Sequence, residues 1–391
     1  MNGDGKTLHR LVNGRLLRRG YTTGTCAAAA AGAAAWMLLY QSPCSKWRFT
    51  TPKGIELTLD IRDTFFSVHT ASCAVRKDSG DDPDVTNGIL VYAQVCKTPK
   101  TGIVIEGGQG VGRVTKPGLD QQVGEAAINS GPRRMITREC QGVCAAGAYT
   151  GGLIVRISIP GGEDLAVRTF NPRVGIIGGI SVLGTSGIVE PMSEKAYADT
   201  IRVELNQIRS VDKQHKKGVI FTIGNFGETF VRDTLGLSLA TQVKCSNFIG
   251  EALASASELD FTRILLVGHI GKLVKLGIGI LNTHSSHGDG RIETLLCCAL
   301  EAGASLEVLR DIKDCVSTDA ALDILRRGSV FQQTMHILGN RIDATLRRRV
   351  PPEIAIAFIC FDKKLSRQDR CGEIICQSPH ADTFMEVFKH E

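Results

Sequence analysis

Two kinds of apolar periodicity run along the chain, and they change places near residue 170. Before it, "GIELTLDI" (54–61) and "GLIVRISIP" (152–160) alternate apolar and polar residues, the mark of half-buried strands. Between them, "VRKDSGDDPDVTNG" and "IEGGQGVGRVTKPGL" are loops by their glycine, proline and aspartate content. Beyond it, "RVGIIGGISVLGTSG", "GVIFTIGNFGETFV" and "RILLVGHIGKLVKL" each take an apolar strand into a glycine-bearing turn. The second and third pass directly into a helical pattern, and "EIAIAFICFD" (353–362) reads as a further strand. The pattern predicts an α+β domain over 1–170, then an α/β domain over 171–391 with a mostly parallel sheet. In such sheets a ligand sits beyond the carboxyl ends of the strands, where the strand order switches.

One apolar run needs separate treatment: "RRGYTTGTCAAAAAGAAAWMLLY" (18–40). Five residues, Tyr21 to Thr25, separate its arginines from the alanines, and no small-residue cleavage pattern follows Tyr40, so it does not read as an export signal. It is also shorter than the about 20 apolar residues that cross a bilayer as a helix. Alanine's helix preference behind Thr-Gly-Thr predicts a capped helix. Thr22, Thr23 and Thr25 at its start would suit an anion; close packing of a core helix explains the same residues.

Composition narrows the class. The 391 residues are 43% hydrophobic and 22% charged, those of a globular enzyme-sized chain with room for two or three domains. A formal charge of +6 is dispersed and aromatics are 5%, which argues against nucleic acid and for a small polyanionic ligand. The 13 cysteines are odd in number and scattered in apolar surroundings, as in a reducing cytoplasm. "CQGVC" and "CGEIIC" lack zinc-type spacing, and no protein-bound metal is expected.

The candidate chemistry lies in a few stretches. Glycines at Gly175, Gly178, Gly179, Gly184 and Gly187, and again at Gly224 and Gly227, would let a ligand approach the main chain, though neither set is the dinucleotide fingerprint. Asp78, Asp81, Asp82 and Asp84 form a carboxylate cluster that could serve a cation or a proton transfer, and that composition also suits a solvated turn. "NTHSSHGDGR" offers His284 and His287, and His269 stands between two glycines just after a strand. Lys116, Arg133 and Arg134 have little acidic compensation and would pair with carboxylates.

Together these stretches resemble the CbiD-type cobalt-precorrin-5B C1-methyltransferase family. The resemblance is carried by "GYTTGTCAAAAA", "KDSGDDPDVTNG", "GRVTKPGL", "VGEAAIN", "TFNPRVGIIGGISVLGTSGIVEPMS", "GNFGE", "SNFIGE" and "GHIGKLVKLGIGILNTHS", in that order from residue 20 to about 295. It implies transfer of a methyl group from S-adenosylmethionine to C1 of a cobalt-containing tetrapyrrole in anaerobic cobalamin biosynthesis, in the cytoplasm. The cobalt then belongs to the substrate. On this reading Lys116, Arg133, Arg134, Arg173, His284 and the Thr22–Thr23–Thr25 helix start meet the ring's carboxylates. Gly175 to Gly187, including Thr185, and Gly224, Asn225 and Gly227 seat the donor, with Glu228 or Glu190 on its ribose. His269, Glu190 and Asp82 are the candidate bases, in that order. No membrane or nucleic-acid partner is implied; self-association and hand-over to other enzymes of the pathway stay open. Two rivals are a non-catalytic corrinoid carrier, which would ignore the methyl donor, and a nucleotide-dependent oxidoreductase, which would bind nicotinamide nucleotides instead.

Overall fold

The computed structural model describes residues 8–12, 14–211, 218–362 and 372–389. Cys371 of "CGEIIC" lies outside them. The chain divides into two compact units between Ser193 and Glu194. The division therefore falls beyond the change of pattern near 170, and the glycine-rich stretch 172–191 belongs to the first unit.

The first unit is an α+β body. Its six-stranded sheet runs Lys46–Thr50, Glu56–Phe66, Thr70–Arg76, Leu90–Thr98, Gly152–Ser158 and Ile103–Gly107. All neighbours are antiparallel except the last pair, which is parallel. The alternating stretches 54–61 and 152–160 supply two of these strands. In Glu56–Phe66, Leu57, Leu59 and Ile61 point into the core while Glu56, Thr58 and Asp60 face out, the side-chain alternation of a one-sided sheet.

Against this sheet lies the alanine helix, Thr23–Tyr40, packed on Thr70–Arg76 and Leu90–Thr98 and on the helix Ser130–Ala146. Its eight alanines and cysteine from 26 to 35 are fully buried. Side chains this small let the helix approach its neighbours closely on every side. A Cβ at Gly32 would stand 2.7 Å from the Trp47 ring. Although long and apolar enough to pass for a membrane span, 83% of the helix is buried inside the unit, so it is a core helix.

The stretch 172–191 forms no βα unit. Its apolar residues make only the two-residue strands Ile176–Ile177 and Ile188–Val189, which pair antiparallel with Arg113–Val114 and Gly20–Tyr21. Ile180, Val182 and Ile188 are drawn into the core around the alanine helix.

The second unit is α/β. Its five-stranded sheet has the order Gln242–Lys244, Val219–Thr222, Arg263–His269, Ala355–Asp362, Glu373–Gln377; the first four are parallel and the last is antiparallel. The strands are apolar on both faces and sort by parity. Phe221, Ile264, Leu266, Ile356 and Phe358 face one layer of helices, including Ile249–Glu258. Ile220, Leu265, Val267, Ala357 and Ile359 face the other, with Phe230 of Gly224–Asp233 and Phe388 of Ala381–Lys389. A parallel sheet covered on both faces needs such continuous apolar runs.

Candidate functional site

The second unit has a switch in strand order. From Val219–Thr222 the chain crosses through Gly224–Asp233 to the edge strand Gln242–Lys244. It then returns through Ile249–Glu258, on the opposite face, to Arg263–His269 on the other side of Val219–Thr222. The turns after Val219–Thr222 and after Arg263–His269 consequently leave the sheet toward opposite faces at its carboxyl edge, the place where such sheets take a ligand. Gly224, Asn225, Gly227 and Glu228 stand on the first turn, and His269 on the second. Backbone passes close here: a Cβ at Gly227 would lie 3.2 Å from the Val267 carbonyl oxygen. Asn225 Oδ1 accepts from Lys244, which ties the end of the edge strand to the turn. Half-buried Glu228 presents a carboxylate. Space over Gly224, a nearby amide side chain and a carboxylate suit the ribose and polar tail of a nucleoside-type donor.

His269 is the N-cap of the short helix Ile270–Leu273. Its Nδ1 accepts from the Gly271 amide at 3.1 Å. Nδ1 thus keeps its lone pair for that bond, and the neutral ring carries its proton on Nε2. Nε2 faces Asp362 at 3.9 Å, and Asp362 in turn accepts from Arg326 at 2.7 Å. This tautomer makes His269 a hydrogen-bond donor; action as a base at Nε2 would force a proton onto Nδ1 against the amide. His269, Asp319 and Asp362 form a group whose ligand atoms lie within 4.8 Å of one another. The Arg326 charge on Asp362 favours a hydrogen-bonded relay there over a bound cation.

Further along the same edge, Lys272 donates to Asn247 Oδ1 at 2.6 Å, and Thr283 donates to the same oxygen at 3.0 Å. Burial, then the charges of Lys275 and Arg291, hold the Lys272 amine below its ordinary value. Buried Lys275 donates to the Gly288 carbonyl at 2.7 Å. Composition gave no sign of these lysines, because "GKLVKL" reads as an ordinary helix face. His284 is exposed; its Nδ1 accepts from Ser286 N at 3.2 Å and caps the turn Ser285–His287. His287 pairs with Glu194 at 2.9 Å.

In the first unit the residues expected to bind ligand are largely bonded to one another. Thr22 Oγ1 accepts from the Thr25 amide at 3.2 Å, the predicted cap. The Thr22 amide donates to Gly187 O at 3.1 Å, the Gly24 amide to Leu183 O at 3.0 Å, and the Thr25 hydroxyl to Gly187 O at 2.7 Å. Thr22, Thr23 and Thr25 are buried. Loop 183–187, with Gly184 and Gly187, therefore covers the helix start that the sequence left open to an anion. Thr185 on that loop is exposed. The Lys116 stem packs against Gly175, whose carbonyl accepts from the Thr115 hydroxyl at 2.7 Å. Gly178 is exposed, and Gly179 packs on the Gly110 backbone. Arg133 donates to the carbonyls of Ile128 and Ile105 at 2.9 and 3.2 Å, so it tethers main chain. Lys116, Arg134 and Arg173 are exposed. The two glycine-rich segments expected to seat one donor thus fall in different units.

The aspartates of 78–84 also have protein partners. Asp78 takes both Arg18 nitrogens at 2.6 and 2.8 Å. Asp81 accepts from Arg18 N at 2.7 Å, and Asp82 from Met192 N at 3.0 Å. Asp84 pairs with buried Lys77 at 2.5 Å. Glu190 accepts from Arg10 at 3.3 Å and from Lys53, with Arg19 at 3.8 Å. The Lys53 hydrogen bond, then the surrounding cations, holds its carboxyl below the usual range, which makes it a weak proton acceptor. A polar cleft of about 380 Å³ lies beside this loop, lined by Tyr21, Arg62, Arg76, Lys77, Asp78 and Asn87 among others. Burial pushes the Tyr21 phenol up, so it remains a donor. Buried thiols offer no nucleophile, since burial raises Cys26 and Cys245 to about 12.

The family model described as CbiD matches residues 10–191, and that described as CbiD, C-terminal domain, matches 282–379. The cobalt-precorrin-5B C(1)-methyltransferase of Ruminiclostridium cellulolyticum is 46% identical over 92% of this chain and 92% of its own. That of Thermoanaerobacter sp. is 43% identical, over 94% and 98%. A crystal structure of a cobalamin biosynthesis protein (cbiD) from Archaeoglobus fulgidus is 28% identical over 82% of this chain and 88% of that one, with a TM-score of 0.38. On identity of this extent across nearly the whole length, the chain belongs to the CbiD family.

Proposed function

We propose that this chain is a cobalt-precorrin-5B C1-methyltransferase of anaerobic cobalamin biosynthesis, using S-adenosylmethionine. The observation that carries the reading is the 46% identity, over more than nine-tenths of both chains, to a relative of that name. The switch in strand order supports the donor assignment. There Gly224 and Gly227 would admit the donor to the main chain, Glu228 would accept from its ribose hydroxyls, and Asn225 would bond its polar tail.

The donor supplies a methyl group on a sulfonium, already an activated electrophile. The protein's contribution is then alignment, holding the ring carbon and the methyl about 3–3.5 Å apart and in line. This accords with the high values of the buried thiols, because no covalent protein intermediate is required. His269, with its proton on Nε2 beside Asp362, acts as a donor that orients a bound acceptor group. Exposed Lys116, Arg134 and Arg173 attract the carboxylate-fringed macrocycle.

The test is donor binding. Titration calorimetry of the full chain should show heat with S-adenosylmethionine and S-adenosylhomocysteine and none with NADH. A chain that bound corrinoid and ignored both sulfur compounds would be a carrier instead.

A further inference from the structure

Lys272 is a half-buried cation with no carboxylate beside it. The charged groups that act on it are Lys275 and Arg291, both cations, and its hydrogen bond runs to the Asn247 amide oxygen at 2.6 Å. The acid of this stretch, Asp289, is committed elsewhere: it takes both Arg291 nitrogens at 2.5 and 2.8 Å and stands 3.9 Å from Lys275. Holding an ammonium partly out of water among like charges is unfavourable, and an anion bound beside it relieves that cost.

Asn247 supplies a second donor. Its Oδ1 accepts from Lys272 and, at 3.0 Å, from the Thr283 hydroxyl, so the side-chain amide is held in one orientation. Its Nδ2 is left with two hydrogens and no protein partner among the described residues. Thr283 is buried, and its own amide donates to Asn247 O at 3.0 Å, which fixes the pair. Asn247 follows the edge strand Gln242–Lys244, and Lys272 follows Arg263–His269. Their bond therefore links the turns after the two strands that flank Val219–Thr222.

We infer that Lys272 Nζ and Asn247 Nδ2 form a carboxylate-binding subsite at the switch in strand order. It is filled either by the amino-acid carboxylate of the donor or by an acid of the macrocycle. An ammonium and an amide N–H side by side can bond the two oxygens of one carboxylate, and the acid supplies the missing counter-charge. The inference rests on the proposed function for the identity of the ligands, but its test does not need the reaction.

The full chain, Lys272→Met and Lys272→Arg are titrated with S-adenosylmethionine, with its decarboxylated analogue and with uroporphyrin, an eight-carboxylate macrocycle. Melting temperatures are read on each. Because Lys272 has no acid partner, Lys272→Met should melt no lower than wild type. It should weaken the ligand whose carboxylate fills the subsite about tenfold, and Lys272→Arg should keep most of that binding. If the acid is the donor's, wild type should prefer S-adenosylmethionine to the decarboxylated analogue about tenfold. Lys272→Met should then lose that preference and bind uroporphyrin as before. If the acid is the macrocycle's, uroporphyrin alone should weaken. A Lys272→Met variant with unchanged affinity for both S-adenosylmethionine and uroporphyrin would overturn the subsite. So would affinities that fall in step with a lowered melting temperature, since Lys272 would then be only a structural tie to Asn247. A wild-type chain that ignored S-adenosylmethionine would sink the proposed function and leave uroporphyrin to decide the subsite. Binding of neither would overturn both.

Discussion

Gly184 sits so close to Thr22 that a Cβ there would lie 2.2 Å from the threonine Oγ1. The contact joins a glycine expected on a donor to a threonine expected on a carboxylate, and makes both parts of one helix cap. Gly184 also has φ of 129°, where an L side chain is strained. Gly184→Ala should therefore destabilise the first unit by about 2–4 kcal/mol, from overpacking plus backbone strain. Thermal unfolding would check this; a variant that melts as wild type does would mean the loop can move off the helix.

Removing the cap hydroxyl is a gentler change. Thr22→Ser should hold stability, while Thr22→Ala should cost about 1 kcal/mol by orphaning the Thr25 amide. Equal denaturation midpoints for the two variants would contradict the cap.

His269→Asn separates two roles. Asparagine can cap Ile270–Leu273 as the ring does, so the fold should persist. With His269 as donor, the single-turnover rate should fall no more than about tenfold, whereas loss of a general base costs about 10²–10⁴. A drop of that larger size, with the fold intact, would restore the histidine as the base.

Acid stability follows from three carboxyls. For Asp78 the main cause of a lowered value is its bond to Arg18; for Glu190 it is the bond to Lys53. For Asp84 burial pushes upward, and the charge and hydrogen bond of Lys77 outweigh it. Groups lowered on folding stabilise the protein above their unfolded values and lose that contribution as pH falls through the folded ones. Stability should be flat near neutrality and decline as pH drops below about 4. Asp84→Asn should cost about 3–5 kcal/mol at neutral pH, because it strands buried Lys77, and should flatten the acid limb. A wild-type melting temperature independent of pH between 5 and 3 would contradict these pairings.

Legibility in the sequence followed the range of the interactions. The strands at 219–222, 263–269 and 355–362 were readable because a two-sided parallel sheet demands unbroken apolar runs. The cap of the alanine helix was readable because Thr22 and Thr25 are three residues apart. The stretch 172–191 misled, since its apolar residues and glycines are those of a βα turn, yet they fit around a helix start some 160 positions earlier. The Thr25–Gly187 bond spans 162 residues, and no local pattern encodes it. Arg133 looked like a ligand cation because its carbonyl partners carry no sequence signal. Glu190 looked like a base for the same reason: Arg10 and Lys53 lie 180 and 137 residues away.

Glu228 offers a local test of the donor assignment. Glu228→Gln keeps the shape and removes the charge, and should weaken S-adenosylmethionine about tenfold with little change in melting temperature. Unaltered affinity would move the donor away from the turn after Val219–Thr222.

The most direct measurement supplies the purified chain, under anaerobic conditions, with cobalt-precorrin-5B and S-adenosylmethionine carrying a ¹³C methyl. Carbon NMR of the product should place one new methyl on C1, with one S-adenosylhomocysteine formed per label transferred. Label that stays on the donor, or arrives at another ring carbon, would contradict the account.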